Sequence, residues 1–335
     1  MKMKQEKFPA LLVTEEAKGV FTRRVVEREL ADLPDHEVLV RVKYSSLNYK
    51  DALSASGNRG VTRRYPHTPG VDAAGIVEES RNPEFKPGDE VVVSCYDLGM
   101  NTPGGLGRYI RVPAGWVMPR PPGLSLRQCM MYGTAGFTAV QCVARLVDFP
   151  IRPADGKILV TGATGGVGIL ALAILARLGY RVSAVSGKAD QAGLLTGLGA
   201  EKVLGREEAT SDSGRLLLKG RWAGVVDTVG GPILATAVKS CRYGGLVTCC
   251  GNAASPELPL NVYPFILRGV TLAGIDSAEC PMDRRRELWQ RLATHWQVEN
   301  LEEMVTEISL EEADAKIDDI LQGRHRGRIL VNLGD

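Results

Sequence analysis

Lys157-Ile158-Leu159-Val160-Thr161-Gly162-Ala163-Thr164-Gly165-Gly166-Val167-Gly168 decides how this chain is built. A short run of strand character enters a glycine-rich turn, and an almost wholly apolar helix follows to Gly179. Gly162 and Gly165 permit a tight turn at the strand end, and Gly168 lets the helix lie close to the sheet. Such a turn leaves backbone N–H groups and the positive end of a helix dipole facing outward, which suits a pyrophosphate. Ala163, Thr164, Gly165, Gly166 and Val167 are therefore candidate contacts to a dinucleotide.

Beyond this turn, strands and helices alternate. Ile158 to Thr161, a helix to Leu178, Arg181 to Ser186, a helix to Leu198 and Lys202 to Leu204 come first. Gly224 to Asp227, a helix to Cys241 and Gly245 to Cys250 continue the pattern. The alternation predicts a doubly wound parallel sheet of the Rossmann α/β class. A strand at Thr271 to Ile275 and a helix near Asp283 to His295 follow, and Gly327 to Asn332 reads as a strand with no helix after it. On the other side, Ala10 to Pro119 is a series of short β-rich runs: Glu37 to Tyr44, Gly75 to Glu78, Glu90 to Cys95 and Gly107 to Val112. Gly and Pro turns separate them, which predicts a small barrel to which the last strand returns. Pro119 to Gly123 marks the first boundary, and a helical stretch from Leu126 to Leu146 leads on.

The length of 335 residues exceeds what one core usually supports, so two domains are expected. With 44% hydrophobic and 24% charged residues and a net charge of +2, the composition is globular and disfavours nucleic acid as a partner. The longest apolar uncharged run, Val167 to Ala176, is about half of the ~20 residues a membrane span needs. Met1 to Ala10 lacks the apolar core of a signal peptide, so a cytoplasmic location is expected. Seven scattered cysteines without a Cys-x-x-Cys pair read as reduced core thiols, and Cys249 with Cys250 as a buried strand end.

A Rossmann site for NAD places an acid at the end of its second strand to bind the ribose hydroxyls. Here that place holds Ser186-Gly187-Lys188, and Arg206 follows the third strand. A hydroxyl and two cations suit a 2′-phosphate, which an acid would repel, so NADP(H) is favoured.

Four segments now carry a resemblance: SSLNYKDAL at Ser45 to Leu53, YPHTPGVDAAG at Tyr65 to Gly75, GTAGFTA at Gly133 to Ala139 and WAGVVDTVG at Trp222 to Gly230. With them the chain resembles the medium-chain dehydrogenase/reductase superfamily over nearly its whole length, and is similar to the zinc-free acrylyl-CoA reductases of its quinone oxidoreductase branch. The resemblance implies a GroES-like β-barrel catalytic domain at 1–125 and 300–335 and a Rossmann NADP(H)-binding domain at 126–299. It implies NADPH-dependent reduction of an activated alkene, acrylyl-CoA to propionyl-CoA in the family's case. A quinone or general enone reductase stays open as a second reading, and an NADPH-binding protein with vestigial chemistry as a third.

Zinc-bearing relatives carry Cys-His where this chain has Asn48-Tyr49, and Gly-His-Glu where it has Gly70-Val71-Asp72. Neither Asn48 nor Val71 can ligate zinc as those residues do, so no metal is expected. The resemblance puts Asn48 and Tyr49 near the nicotinamide, Asn48 as a hydrogen-bond donor and Tyr49 as a cleft wall or proton donor, making Tyr49 the first catalytic candidate. It also puts Thr134, Asn252, Ile266, Ser277 and Arg328 along the cofactor, and implies a homodimer joined near Thr271 to Ile275. Asp51 reads as a turn-fixing residue and His67 as a packing residue. Arg59, Arg63 and Arg64 are candidates for the phosphates of a CoA substrate.

Overall fold

The computed structural model describes residues 6–334, so the start of the Met1–Ala10 stretch lies outside the described residues. Two compact units result, one from Met1–Thr134, Ala278–Ala293 and Leu301–Asp335, the other from Ala135–Ser277 and Thr294–Asn300.

The first unit opens with an antiparallel pair, β1 (Lys7–Ala17) and β2 (Val20–Glu29), joined through Gly19 at a φ of 78°. Then come β3 (Val38–Leu47), α1 (Tyr49–Ala55), β4 (Asp72–Ser80), β5 (Glu90–Ser94), β6 (Tyr109–Val112) and β7 (Val117–Pro119). β3 is apolar on both faces for a reason. Val38, Val40 and Val42 enter the main core with Leu11, Val91 and Ile110, while Leu39 enters a second cluster with Phe8, Leu30 and Tyr109. Each such side chain removed from water stabilises the unit by roughly 1.5–3 kcal/mol. α2 (Leu126–Asp148) leads out of this unit, its helical geometry interrupted at Gly133 by a φ of 51° and ψ of −157°.

The second unit runs β8 (Lys157–Val160), α3 (Gly166–Arg177), β9 (Val182–Val185), α4 (Ala192–Gly197), β10 (Ala200–Leu204), β11 (Trp222–Asp227), α5 (Gly231–Lys239), β12 (Cys241–Cys249), α6 (Tyr263–Arg268) and β13 (Thr271–Gly274). Its six strands are parallel in the order β10-β9-β8-β11-β12-β13, as the alternating pattern predicts. The strand order reverses between β8 and β11, and ligands bind sheets of this kind at that reversal, beyond the carboxyl ends of the strands.

The chain then returns to the first unit through α7 (Met282–Ala293), β14 (Val305–Ser309), α8 (Ala313–Leu321) and β15 (Arg328–Asn332). β15 pairs parallel with β14 and antiparallel with β3, so the last strand joins the first unit's sheet, as the sequence suggests. Among the described residues no helix is long and apolar enough to cross a membrane. Among the described residues, none of the seven cysteines forms a disulfide.

Candidate active site

In the second unit the glycine turn is fixed by contacts that no side chain could share. A Cβ on Gly162 would meet Thr228 Oγ1 at 2.3 Å, and one on Gly168 would meet the Gly162 carbonyl oxygen at 2.3 Å. Thr161 Oγ1 donates to the buried Asp227 carboxylate at 2.7 Å, and Gly230 N–H donates to its other oxygen at 2.8 Å, which ties the ends of β8 and β11 together. α3 starts after Gly165 without a side-chain cap. The N–H groups of its first turn, at Gly166, Val167 and Gly168, have no intrahelical acceptor and no capping side chain, which suits an anion. Ala163 is buried, with its N–H on Val185 O at 3.0 Å, and Thr164 Oγ1 lies 3.4 Å from Ser186 Oγ.

Ser186, Gly187, Lys188 and Arg206 come together beyond β9 and β10. Ser186 N–H donates to Leu204 O at 3.0 Å, and Lys188 N–H donates to Ser186 Oγ at 3.0 Å. The Arg206 guanidinium lies so close over Gly187 that a Cβ there would meet its Nε at 2.4 Å. Burial holds the Lys188 ammonium below its ordinary pKa, with Asp190 opposing and the like charge of Arg206 adding to the shift. Two cations are thus held within range of each other, an arrangement that an anion between them would stabilise. Asn252 is exposed beside Gly230, Ile266 is 70% exposed on α6, and Ser277 follows β13.

The first unit holds a buried polar cluster centred on Asp72. Its Oδ2 accepts from Ser46 Oγ at 2.6 Å, Asn48 Nδ2 at 2.8 Å and Thr134 N–H at 2.8 Å, and its Oδ1 accepts from Thr134 Oγ1 at 2.8 Å. Gly133 makes this possible. A Cβ there would sit 2.6–2.7 Å from Ser46 Oγ, Arg328 Nη2 and Asp72 Oδ2, so the break in α2 is what lets the Thr134 amide face Asp72.

Arg328 is 2% exposed, and its donors go to protein acceptors: Met131 O at 3.1 Å, Asn48 Oδ1 at 3.2 Å and Ser46 Oγ at 2.8 Å. Burial works against its charge, while the Asp72 and Asp51 carboxylates work for it. Asp51 is fully buried; rather than fixing a turn beside it in sequence, it ties the start of α1 to the segment before β4, taking Gly70 N–H at 3.1 Å and Val71 N–H at 2.8 Å on one oxygen and Asn48 N–H at 2.8 Å on the other. Burial, and secondarily the nearby Asp72 charge, push its pKa up to about 7 despite those donors. Asn48 is therefore held on both sides of its amide, its Nδ2 towards Asp72 and Asp51 and its Oδ1 towards Arg328. Tyr49, next to it at the start of α1, is 50% exposed, and its phenol has no partner among the described residues.

Asp72, Ser46 and Cys95, whose Sγ is 3.1 Å from Thr134 Oγ1, belong to this cluster without having been singled out from the sequence as site residues. One signal was present. Asp72 and Arg328 each interrupt apolar strand sequence, and a charge buried in a strand needs a counter-charge. Arg59, by contrast, is engaged elsewhere: it pairs with Glu15, lies over the Phe21 and Tyr65 rings and donates to Arg63 O at 2.8 Å. Arg63 and Arg64 are exposed. His67 is buried against Val13, and burial lowers its pKa. Among the described residues, no group of three or more His, Cys, Asp or Glu is arranged to hold a metal.

Two family models match the chain, the alcohol dehydrogenase GroES-like domain over residues 34–122 and the zinc-binding dehydrogenase over residues 166–294. Acrylyl-CoA reductase AcuI of Ruegeria pomeroyi is 43% identical over 97% of this chain and 99% of its own length. The chain belongs to the medium-chain dehydrogenase/reductase superfamily. Within it, this α/β reductase groups with AcuI and with YhfP of Bacillus subtilis, which carries a quinone oxidoreductase name and is 46% identical over 90% of this chain and 92% of its own. The B. subtilis yhfP structure, with NAD bound, superposes with a TM-score of 0.95 at 43% identity, covering 98% of this chain and 100% of that one. The yhdH oxidoreductase of Salmonella enterica in complex with NADP matches with a TM-score of 0.94 at 44% identity, over 97% of this chain and 100% of that one. The second of the two matched families is named for zinc, yet Asn48 and Val71 stand where the sequence comparison with zinc-bearing relatives expects ligands.

Proposed function

We propose that this reductase uses NADPH to reduce the C=C bond of a 2-enoyl thioester, acrylyl-CoA being the substrate its relatives suggest. The observation that carries the cofactor assignment is Lys188 and Arg206 closing on Gly187, with Ser186 beside them, where an acid would otherwise bind ribose hydroxyls. The NADP in the Salmonella yhdH structure supports it. The substrate assignment rests on the near full-length identity to AcuI.

The residues present fit NADPH: the glycine turn admits a close backbone approach and the start of α3 offers N–H groups to the pyrophosphate. Ser186, Lys188 and Arg206 would hold the 2′-phosphate, and Asn252, Ile266 and Ser277 would line the remainder. Bound NADPH supplies a hydride to the β-carbon of the alkene. Negative charge then grows on the thioester oxygen, and fixed donors stabilise it better than water does. Tyr49, exposed and with its phenol unengaged, is the group assigned to meet the substrate as proton donor or wall. Asp72 and Arg328 hold Asn48 and Thr134 in place for that encounter. Asn48 and Val71 offer no thiolate or imidazole, so the chemistry is assigned without a metal. The catalytic assignment spans 1–125 and 300–335, and the cofactor assignment 126–299. A homodimer in the cytoplasm completes the reading.

NADPH oxidation, followed by absorbance over a panel of acrylyl-CoA, longer enoyl thioesters, enones and quinones, tests this. Turnover of acrylyl-CoA well above that of quinones is expected, unchanged by a chelator. Equal rates would favour a quinone or enone reductase, the reading that similarity to YhfP supports. Binding of NADPH without turnover of any substrate would leave a binding protein, and loss of activity on chelation reversed by zinc would overturn the metal-free chemistry.

A further inference from the structure

The loop that follows α1, from Gly57 to Tyr65, is tied down at several points. The Phe21 ring lies against Gly57, where a Cβ would meet it at 2.0 Å. Asn58 N–H donates to Leu53 O at 3.0 Å, and the Asn58 carbonyl accepts from the Val61 and Thr62 amides at 3.0 Å. Thr62 is buried with its hydroxyl 2.7 Å from Ser54 Oγ on α1, and the Tyr65 hydroxyl donates to Ser54 O at 2.6 Å. The Arg63 backbone is pinned on both sides: its N–H donates to Asn101 Oδ1 at 3.2 Å, and its carbonyl accepts from Arg59 Nη1 at 2.8 Å.

This geometry divides the three cations of the loop. Arg59 is committed inside the unit, to Glu15 and to the faces of the Phe21 and Tyr65 rings. Arg63 and Arg64 are exposed, and among the described residues neither side chain has a hydrogen bond or an ion pair. Elsewhere in this unit Arg23, Arg41, Arg111 and Arg120 are paired with carboxylates. The Asp97 carboxylate, close by through Asn101, is occupied by Asn101 Nδ2 at 2.7 Å and Thr102 Oγ1 at 3.0 Å. Two adjacent like charges without an acid between them favour an anion, and a backbone already fixed has less order to lose when one binds.

We propose that Arg63 and Arg64 form a phosphate-binding subsite for the substrate, meeting the phosphate groups of a CoA thioester while Tyr49 meets its thioester end. α1 joins the two places: its seven residues set the loop about 10 Å from Tyr49. CoA likewise separates its phosphates from the thioester by an extended pantetheine arm. The subsite rests on the enoyl-thioester reading and names the part of that substrate the enzyme holds.

The test measures kcat/KM for acrylyl-CoA and for acrylyl-N-acetylcysteamine, which keeps the enoyl thioester but carries no phosphate. Wild type is compared with Arg63→Ala/Arg64→Ala and Arg63→Lys/Arg64→Lys. The alanine pair is expected to lose about 20-fold on acrylyl-CoA, in KM rather than kcat, the scale of two partly exposed charged contacts. On the short thioester it should match wild type. The lysine pair should stay within about threefold of wild type on both, since an ammonium also binds phosphate as a point charge. The loss on acrylyl-CoA should shrink as salt is added. Calorimetric titration with free CoA reads the subsite without turnover, and titration with NADPH separates the two phosphate-bearing ligands. An unchanged KM for acrylyl-CoA in the alanine pair, an equal loss on both thioesters, or a loss of NADPH affinity matching that for CoA would overturn the proposal, as would a wild type that does not bind CoA. A wild type that binds CoA through these arginines yet reduces no acrylyl-CoA would instead remove the proposed reaction and leave the subsite standing.

Discussion

Lys188 and Arg206 carry the proposed preference for the 2′-phosphate. Their charges are close enough for one to depress the other's proton affinity, and a phosphate between them relieves that repulsion. Replacing both with alanine is expected to weaken NADPH by about 100-fold, two charge-assisted contacts of about 1.5 kcal/mol each. NADH should change only a few-fold, and fluorescence titration of both nucleotides reads the difference. Asp51 gives a second expectation. Its folded pKa of about 7 stands above the unfolded value of 3.8, so the native state holds an extra proton between them. That contribution to stability is full below about pH 4 and is lost as pH rises through 7. Asp51→Asn keeps the neutral state at every pH, so its melting temperature relative to wild type should climb from pH 5 to pH 8. A constant difference across that range would show that Asp51 is not the titrating group.

At the level of elements, α2 is informative because it is broken on purpose. Gly133 sits where any Cβ would strike Ser46, Arg328 and Asp72, at a φ that side chains rarely adopt. Gly133→Ala should cost roughly 2–4 kcal/mol through strain and a displaced buried charge network. Thermal unfolding measures it, and a loss below about 0.5 kcal/mol, the range of an ordinary surface substitution, would contradict the geometry. The parallel strands were legible because most contain a short apolar run close to a glycine, as in Lys157-Ile158-Leu159-Val160 before Thr161-Gly162. α1 was not, since Tyr49–Ala55 is a single short helix whose start depends on Asp51 taking the Asn48 amide, a local bond with no periodic signature. β14 and α8 were missed for a similar reason: Val305–Ser309 becomes a strand only by pairing with β15.

For the whole molecule, the cofactor turn was readable because its residues are contiguous, whereas the Asp72 cluster was not. Ser46, Asp72, Thr134 and Arg328 are scattered over most of the chain, and only the tertiary fold joins them. The assembly can be tested at this scale too. β13 is an edge strand of the parallel sheet, and Val262, Ile266 and Leu267 beside it in sequence are 59%, 70% and 57% exposed. Unpaired strand edges and clustered apolar surface are features that oligomers bury. A dimer is expected by light scattering, and Ile266→Arg with Leu267→Glu should give a folded monomer. A monomeric wild type would rule the arrangement out.

The return of β15 to β3 also sets an order of events during synthesis. A nascent chain that has reached β13 already contains every strand of the parallel sheet, while Asp51 and Asp72, translated long before, still lack their guanidinium. The ribosome therefore releases a protein whose later half can mature ahead of its earlier half, and whose first-made carboxylates stay hydrated until Arg328 emerges.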